Sequence, residues 1–110
     1  MMKRSVWGFL FILSTMSLLG ANQQPETQGY EERRTNNGTL QYKAIDSNGD
    51  GQFDTFYYYD AKGLLERQEI DSDHDGRIDI IIHYLDGVYI VMIERDVDGD
   101  GTFREKRRFN

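Results

Sequence analysis

Three nine-residue segments of the chain align without a gap: Asp46-Ser47-Asn48-Gly49-Asp50-Gly51-Gln52-Phe53-Asp54, Asp71-Ser72-Asp73-His74-Asp75-Gly76-Arg77-Ile78-Asp79 and Asp96-Val97-Asp98-Gly99-Asp100-Gly101-Thr102-Phe103-Arg104. Their first aspartates stand 25 residues apart in both intervals. Each segment reads D-x-[DN]-x-D-G-x-[FI], and second turn signals fall midway, at Asp60-Ala61-Lys62-Gly63 and Leu85-Asp86-Gly87. A fixed period of this length marks a repeat architecture, in which each unit buries apolar surface against its neighbours rather than alone.

The stretches between loops decide what the units are. Each is interrupted near its middle by Gly63 or Gly87, leaving halves of about seven residues, too short for an ordinary helix and suited to strands of ~5–6. Phe53, Thr55, Phe56, Tyr57, Tyr58 and Tyr59, then Ile78, Ile80, Ile81, Ile82 and Tyr84, then Val88, Tyr89, Ile90, Val91 and Ile93, are β-formers. The spacing predicts strands near 39–45, 52–59, 64–70, 77–84, 88–95 and 102–109. The expected fold is all-β, an antiparallel meander of about six strands built from three 25-residue hairpin repeats. Every second connection of a meander lies at the same end of the sheet. The three acidic loops are therefore expected side by side, roughly 10 Å apart from an interstrand spacing of ~4.8 Å. Such neighbours repel one another unless cations neutralise them.

Alternating oxygen donors with glycine at the sixth position suit Ca²⁺, which takes six to eight oxygen ligands. The first loop offers Asp46, Asn48, Asp50, Asp54 and the Gln52 carbonyl. The second offers Asp71, Asp73, Asp75, Asp79 and the Arg77 carbonyl. The third offers Asp96, Asp98, Asp100 and the Thr102 carbonyl, with Arg104 where its siblings carry aspartate. That exchange predicts the weakest of the three sites, with Glu105 as a substitute donor. Mg²⁺ sheds water reluctantly into an all-protein cage, and zinc prefers nitrogen or sulfur. Solvated Asp-Gly turns without a metal are the competing reading of any one loop.

These segments resemble the DxDxDGxxD calcium loops found outside helix-loop-helix EF-hands, as in dockerins, thrombospondin type 3 repeats and the blade loops of FG-GAP propellers. The resemblance covers about nine residues in each repeat. It implies calcium ligation at the first, third, fifth and ninth positions. The twelfth position holds Tyr57, Ile82 and Arg107 in place of the bidentate glutamate of a calmodulin-like sensor. Gly63 and Gly87 would break the helices of a dockerin. Tyr57–Leu64 also resembles a YD-repeat hairpin of RHS shell proteins.

Lys3 and Arg4 precede an uncharged run, Ser5 to Leu19, that ends in the small residues Gly20 and Ala21. This pattern predicts a secretory signal peptide over residues 1–21, cleaved after Ala21 or Gly20, with an uncleaved anchor as the alternative. No stable membrane span is expected after cleavage. Residues 22–38 contain one aromatic, Tyr30, and no aliphatic side chain, which predicts a disordered linker. Residues 39–110 would then form the calcium-binding β-repeat domain, secreted, periplasmic or at the cell surface.

Thirteen Lys and Arg against nineteen Asp and Glu give the chain a net charge of −6, which tells against nucleic acid as a partner. The absence of cysteine excludes disulfides and thiolate metal sites. His74 lies at a non-ligand position of a loop, His83 falls in a strand, and Ser47 and Ser72 occupy second positions of loops. None assembles a nucleophile–base set, so no enzyme is expected. The functional expectation is a secreted calcium-binding β-repeat module with a structural or adhesion role. The alternative is a hydrolase-like or calcium-buffer protein using the same acidic loops. Strands apolar on both faces predict a sheet that curls on itself, with an aromatic and aliphatic patch left for a protein partner or self-association.

Overall fold

The computed structural model of the chain describes residues 29–110. The expected signal peptide, and the expected linker as far as residue 28, lie outside them. Seven strands follow one another in sequence: β1 (Tyr30–Arg34), β2 (Leu40–Ile45), β3 (Thr55–Tyr59), β4 (Leu65–Ile70), β5 (Ile80–Leu85), β6 (Tyr89–Arg95) and β7 (Glu105–Arg108). They form one sheet in chain order, every neighbouring pair antiparallel. The fold is the expected all-β meander, and the described residues contain no helix.

Two expectations need correction. Residues 30–34, assigned to the linker, form the edge strand β1. Its sequence, Tyr-Glu-Glu-Arg-Arg, is exposed at every position, so it needs no apolar face and is held by its backbone pairing to β2. The sheet also does not curl into a barrel. β1 and β7 are its two open edges and each pairs with one neighbour only.

The 25-residue period is written into the backbone. The register shifts at 33/34, 58/59 and 83/84, so the same β-bulge recurs once per repeat, just before each turn. Two of those turns are copies of one another. Thr35 donates to the Thr39 carbonyl and Gly38 to the Thr35 carbonyl, as Asp60 does to Leu64 and Gly63 to Asp60. The third, Asp86-Gly87, is tighter, with positive φ at both residues (55° and 74°). That is the two-residue hairpin geometry that matches the twist of the strands.

Register assigns the side chains to two unlike faces. One carries Ile45, Ile70, Ile80, Tyr57, Ile82 and Ile93. The other carries a row crossing the sheet through Arg33, Tyr42, Tyr58, Arg67, His83, Met92 and Arg108. On that second face the Arg33 guanidinium sits 4.0 Å from the Tyr42 ring centre, Tyr42 lies 5.5 Å from Tyr58, and Arg67 covers Tyr58 at 4.3 Å. Ala44, beside these rings, is the one fully buried apolar residue described.

Candidate metal centres

The connections β2–β3, β4–β5 and β6–β7 bring the three acidic segments to one end of the sheet. These loops, residues 46–54, 71–79 and 96–104, follow β2, β4 and β6, while the glycine turns after β1, β3 and β5 lie at the opposite end. The bases of adjacent loops are stitched by backbone hydrogen bonds. Asp71 donates its N–H to the Asp54 carbonyl at 2.8 Å and Asp96 donates to Asp79 at 3.0 Å, while Asp46 donates to Gly29 at 2.9 Å. The ninth residue of one loop is thereby fixed beside the first residue of the next.

Each loop wraps around its first aspartate. Oδ2 of Asp46, Asp71 and Asp96 accepts the sixth-position glycine N–H at 2.7, 2.8 and 2.7 Å, and Oδ1 accepts the fifth-position N–H at 3.2 Å in all three. The fifth-position carboxylate in turn accepts the seventh-position N–H, from Gln52, Arg77 and Thr102, at 2.9 Å each time. Gly51, Gly76 and Gly101 have φ of 90°, 90° and 86°, a left-handed conformation that explains glycine at the sixth position. The fourth position is left-handed too, and there His74 (φ 60°) replaces the glycine of its siblings. Its Nδ1 reaches to 3.6 Å from Asp54 Oδ2 in the preceding loop.

This wrapping makes the first, third and fifth side chains converge. Asp71, Asp73 and Asp75 present carboxylate oxygens within 4.8 Å of one another, and so do Asp96, Asp98 and Asp100. In the first loop Asn48 stands at the third position, its side-chain oxygen accepting the Asp50 N–H at 3.2 Å. The ninth-position aspartates do different work. Asp54 accepts the Ser47 N–H at 2.8 Å and the Thr55 hydroxyl at 2.7 Å, and it is almost fully buried. Asp79 accepts both the N–H and the hydroxyl of Ser72, at 2.8 and 2.7 Å. They clamp the loop shut from second position to ninth. Neither belongs to a converging triplet, and Asp79 lines a cleft of about 410 Å³ between the second and third loops with Asp73, Asp75, Asp96 and Asp98.

Charge is distributed unevenly along the row. Partial desolvation, a hydrogen bond with Asp71 and the Asp75 charge push the Asp73 carboxyl above its ordinary value. The Arg77 N–H holds Asp75 below it. In the third loop the Thr102 N–H and the Arg104 guanidinium hold Asp100 down. Arg104 spans two acids, Nη1 lying 2.8 Å from Asp98 Oδ2 and Nη2 2.8 Å from Asp100 Oδ2. The Thr102 carbonyl accepts the Arg104 N–H at 3.1 Å.

The donors gathered here are all oxygens, carboxylate or amide. That is the chemistry of a hard divalent cation, so the residues present fit Ca²⁺ by donor type. The clamp between second and ninth positions is what the motif alone did not reveal. Its signal is the pairing of Ser47 with Asp54 and Ser72 with Asp79, lost together in the third loop as Val97 and Arg104. No family model, curated protein or solved structure matches the chain.

Proposed function

We propose that the protein is an extracytoplasmic, non-catalytic β-repeat module whose sheet is stabilised by Ca²⁺ bound along one rim, and which acts through binding or structural contacts. The observation that carries this reading is the common wrap of the loops, with converging first, third and fifth carboxylates in two of them. Asp71, Asp73 and Asp75 would hold the ion of the second loop, with the Arg77 carbonyl as a further donor. Asp46, Asn48 and Asp50, with the Gln52 carbonyl, would hold that of the first. A bound divalent ion neutralises acids that otherwise repel across neighbouring loops. The chain's own part is to preorganise the donors through the first-position aspartates and the second-to-ninth clamp.

Lacking a bidentate twelfth ligand, such sites belong with extracellular modules, whose dissociation constants fall around 10⁻⁴–10⁻³ M. Calcium outside a cell would fill them continuously, as a staple rather than a signal. The test is thermal unfolding of the mature chain in EDTA, in Ca²⁺ and in equal Mg²⁺. At a hundredfold excess over the dissociation constant each site adds about 2.7 kcal/mol. A melting temperature that rises steeply with Ca²⁺ and little with Mg²⁺ is expected; no rise with Ca²⁺ overturns the reading.

A further inference from the structure

The three loops share one backbone wrap but not one source of positive charge. In the first two, the ninth position is an aspartate engaged by the second-position N–H. In the third, that position is Arg104, whose guanidinium bridges Asp98 and Asp100 at 2.8 Å to each. Those are the third- and fifth-position carboxylates that converge with Asp96. A second guanidinium approaches from the neighbouring loop, where Arg77 Nη2 donates to the Gly99 carbonyl. We infer that Arg104 is the resident cation of the third loop, taking the place that Ca²⁺ holds in the other two, so that the row binds two calcium ions rather than three.

The inference rests on the calcium reading above and adds to it a stoichiometry and a residue that sets it. A planar guanidinium presents two parallel donors and matches two neighbouring carboxylates as a compact ammonium would not. While it spans them it engages an oxygen of two of the three converging acids, and one unit of positive charge held beside a divalent ion weakens its binding roughly tenfold or more. The exchange also removes a carboxylate from the loop. The pair is solvent-exposed, with Arg104 at 58% and Asp98 at 55% side-chain exposure, so the arrangement lowers the third loop's charge without burying it. A rim with a covalently attached cation at one end needs less external calcium to hold its acids together.

Calorimetric titration of the mature chain with Ca²⁺ tests the count, alongside Arg104→Asp and Arg104→Gln variants whose folding is checked by circular dichroism. Two ions are expected for the wild type and a third for Arg104→Asp, with a weaker third event for Arg104→Gln should the aspartate variant fail to fold. A wild-type stoichiometry of three, or no added ion in a folded variant, overturns the assignment while leaving the calcium reading intact. Titrations without binding in any protein overturn the calcium reading itself. Melting in EDTA separates the two further: Arg104→Gln should lose several degrees there, and an unchanged melting temperature removes the cation role of Arg104 whatever calcium does.

Discussion

Asp54 shows how a loop whose outer face repels itself is kept shut. Burial disfavours its charge, but the Thr55 hydroxyl and the Ser47 N–H outweigh that cost and hold its carboxyl below the ordinary value. A group with a depressed folded pKa stabilises fully above its unfolded value, near 3.9, and loses that contribution as pH falls through the folded one. In metal-free buffer, Asp54→Ala removes two acceptors and leaves partners unsatisfied, which costs about 1–3 kcal/mol. Each kcal/mol is worth roughly 4–8 °C in a domain of this size. Asp54→Asn keeps the shape and removes the charge. Its deficit against the wild type should therefore be largest at neutral pH and shrink as both are melted toward pH 3. A deficit that stays constant across that range contradicts the role given to the charge. The converging aspartates were legible as a one-three-five pattern, whereas this clamp was not. Serine and aspartate seven residues apart look like ordinary turn residues until the loop closes.

At the scale of the strands, the row through Arg33, Tyr42, Tyr58 and Arg67 lets a single sheet cover one of its own faces. Long cationic side chains lie over aromatic rings, and Tyr58 is held between Arg67 at 4.3 Å and Tyr42 at 5.5 Å. Cross-strand and cation–π pairs contribute about 0.2–1 kcal/mol each. Tyr58→Ala should therefore cost about 1–3 kcal/mol in chemical denaturation. Tyr58→Phe, which loses only a 3.4 Å contact to Glu69, should fall within about 0.5 kcal/mol of wild type. Equal losses in the two variants would show that the hydroxyl, not the stacked ring, matters. Six strands could be read from β-forming runs between glycine turns. β1 could not, because Glu31, Glu32, Arg33 and Arg34 suppress every apolar signal. Only phase betrays it: Tyr30–Arg34 precedes Thr55–Tyr59 by 25 residues, as Gly38 precedes Gly63. The recurring bulge leaves no mark in composition, since it depends on register between partners.

At the scale of the molecule, the decisive property is that one sheet stands alone among the described residues. Domains ordinarily pack two layers around a core, yet Ala44 is the one buried apolar residue among those described. Curling was expected to supply the second layer. The open edges at β1 and β7 leave the isoleucine face without it among the described residues. We propose that face as a surface for self-association. Ile45, Ile70, Ile80, Ile82 and Ile93 are interleaved there with Thr55, Tyr57, Gln68 and Lys43, whose Nζ lies 5.0 Å from the Tyr57 ring centre, and charges flank them at both edges, Glu32 beside Arg34 at 2.6 Å on one side and Arg95 beside Glu105 at 3.4 Å on the other. Two copies packed through this face, with their acidic rims at opposite ends, would bury both isoleucine patches without bringing six acidic loops together. Because polar side chains are interleaved with the isoleucines, a weak and reversible dimer is expected, with a dissociation constant on the order of micromolar or weaker. Sedimentation equilibrium in Ca²⁺ should show a monomer–dimer equilibrium. Ile82→Glu should abolish it by placing a charge at the centre of the patch, with circular dichroism and calcium stoichiometry preserved. A strict monomer at every concentration, with a melting temperature independent of concentration, would mean that the rim of calcium and the aromatic row suffice to hold a single layer in water.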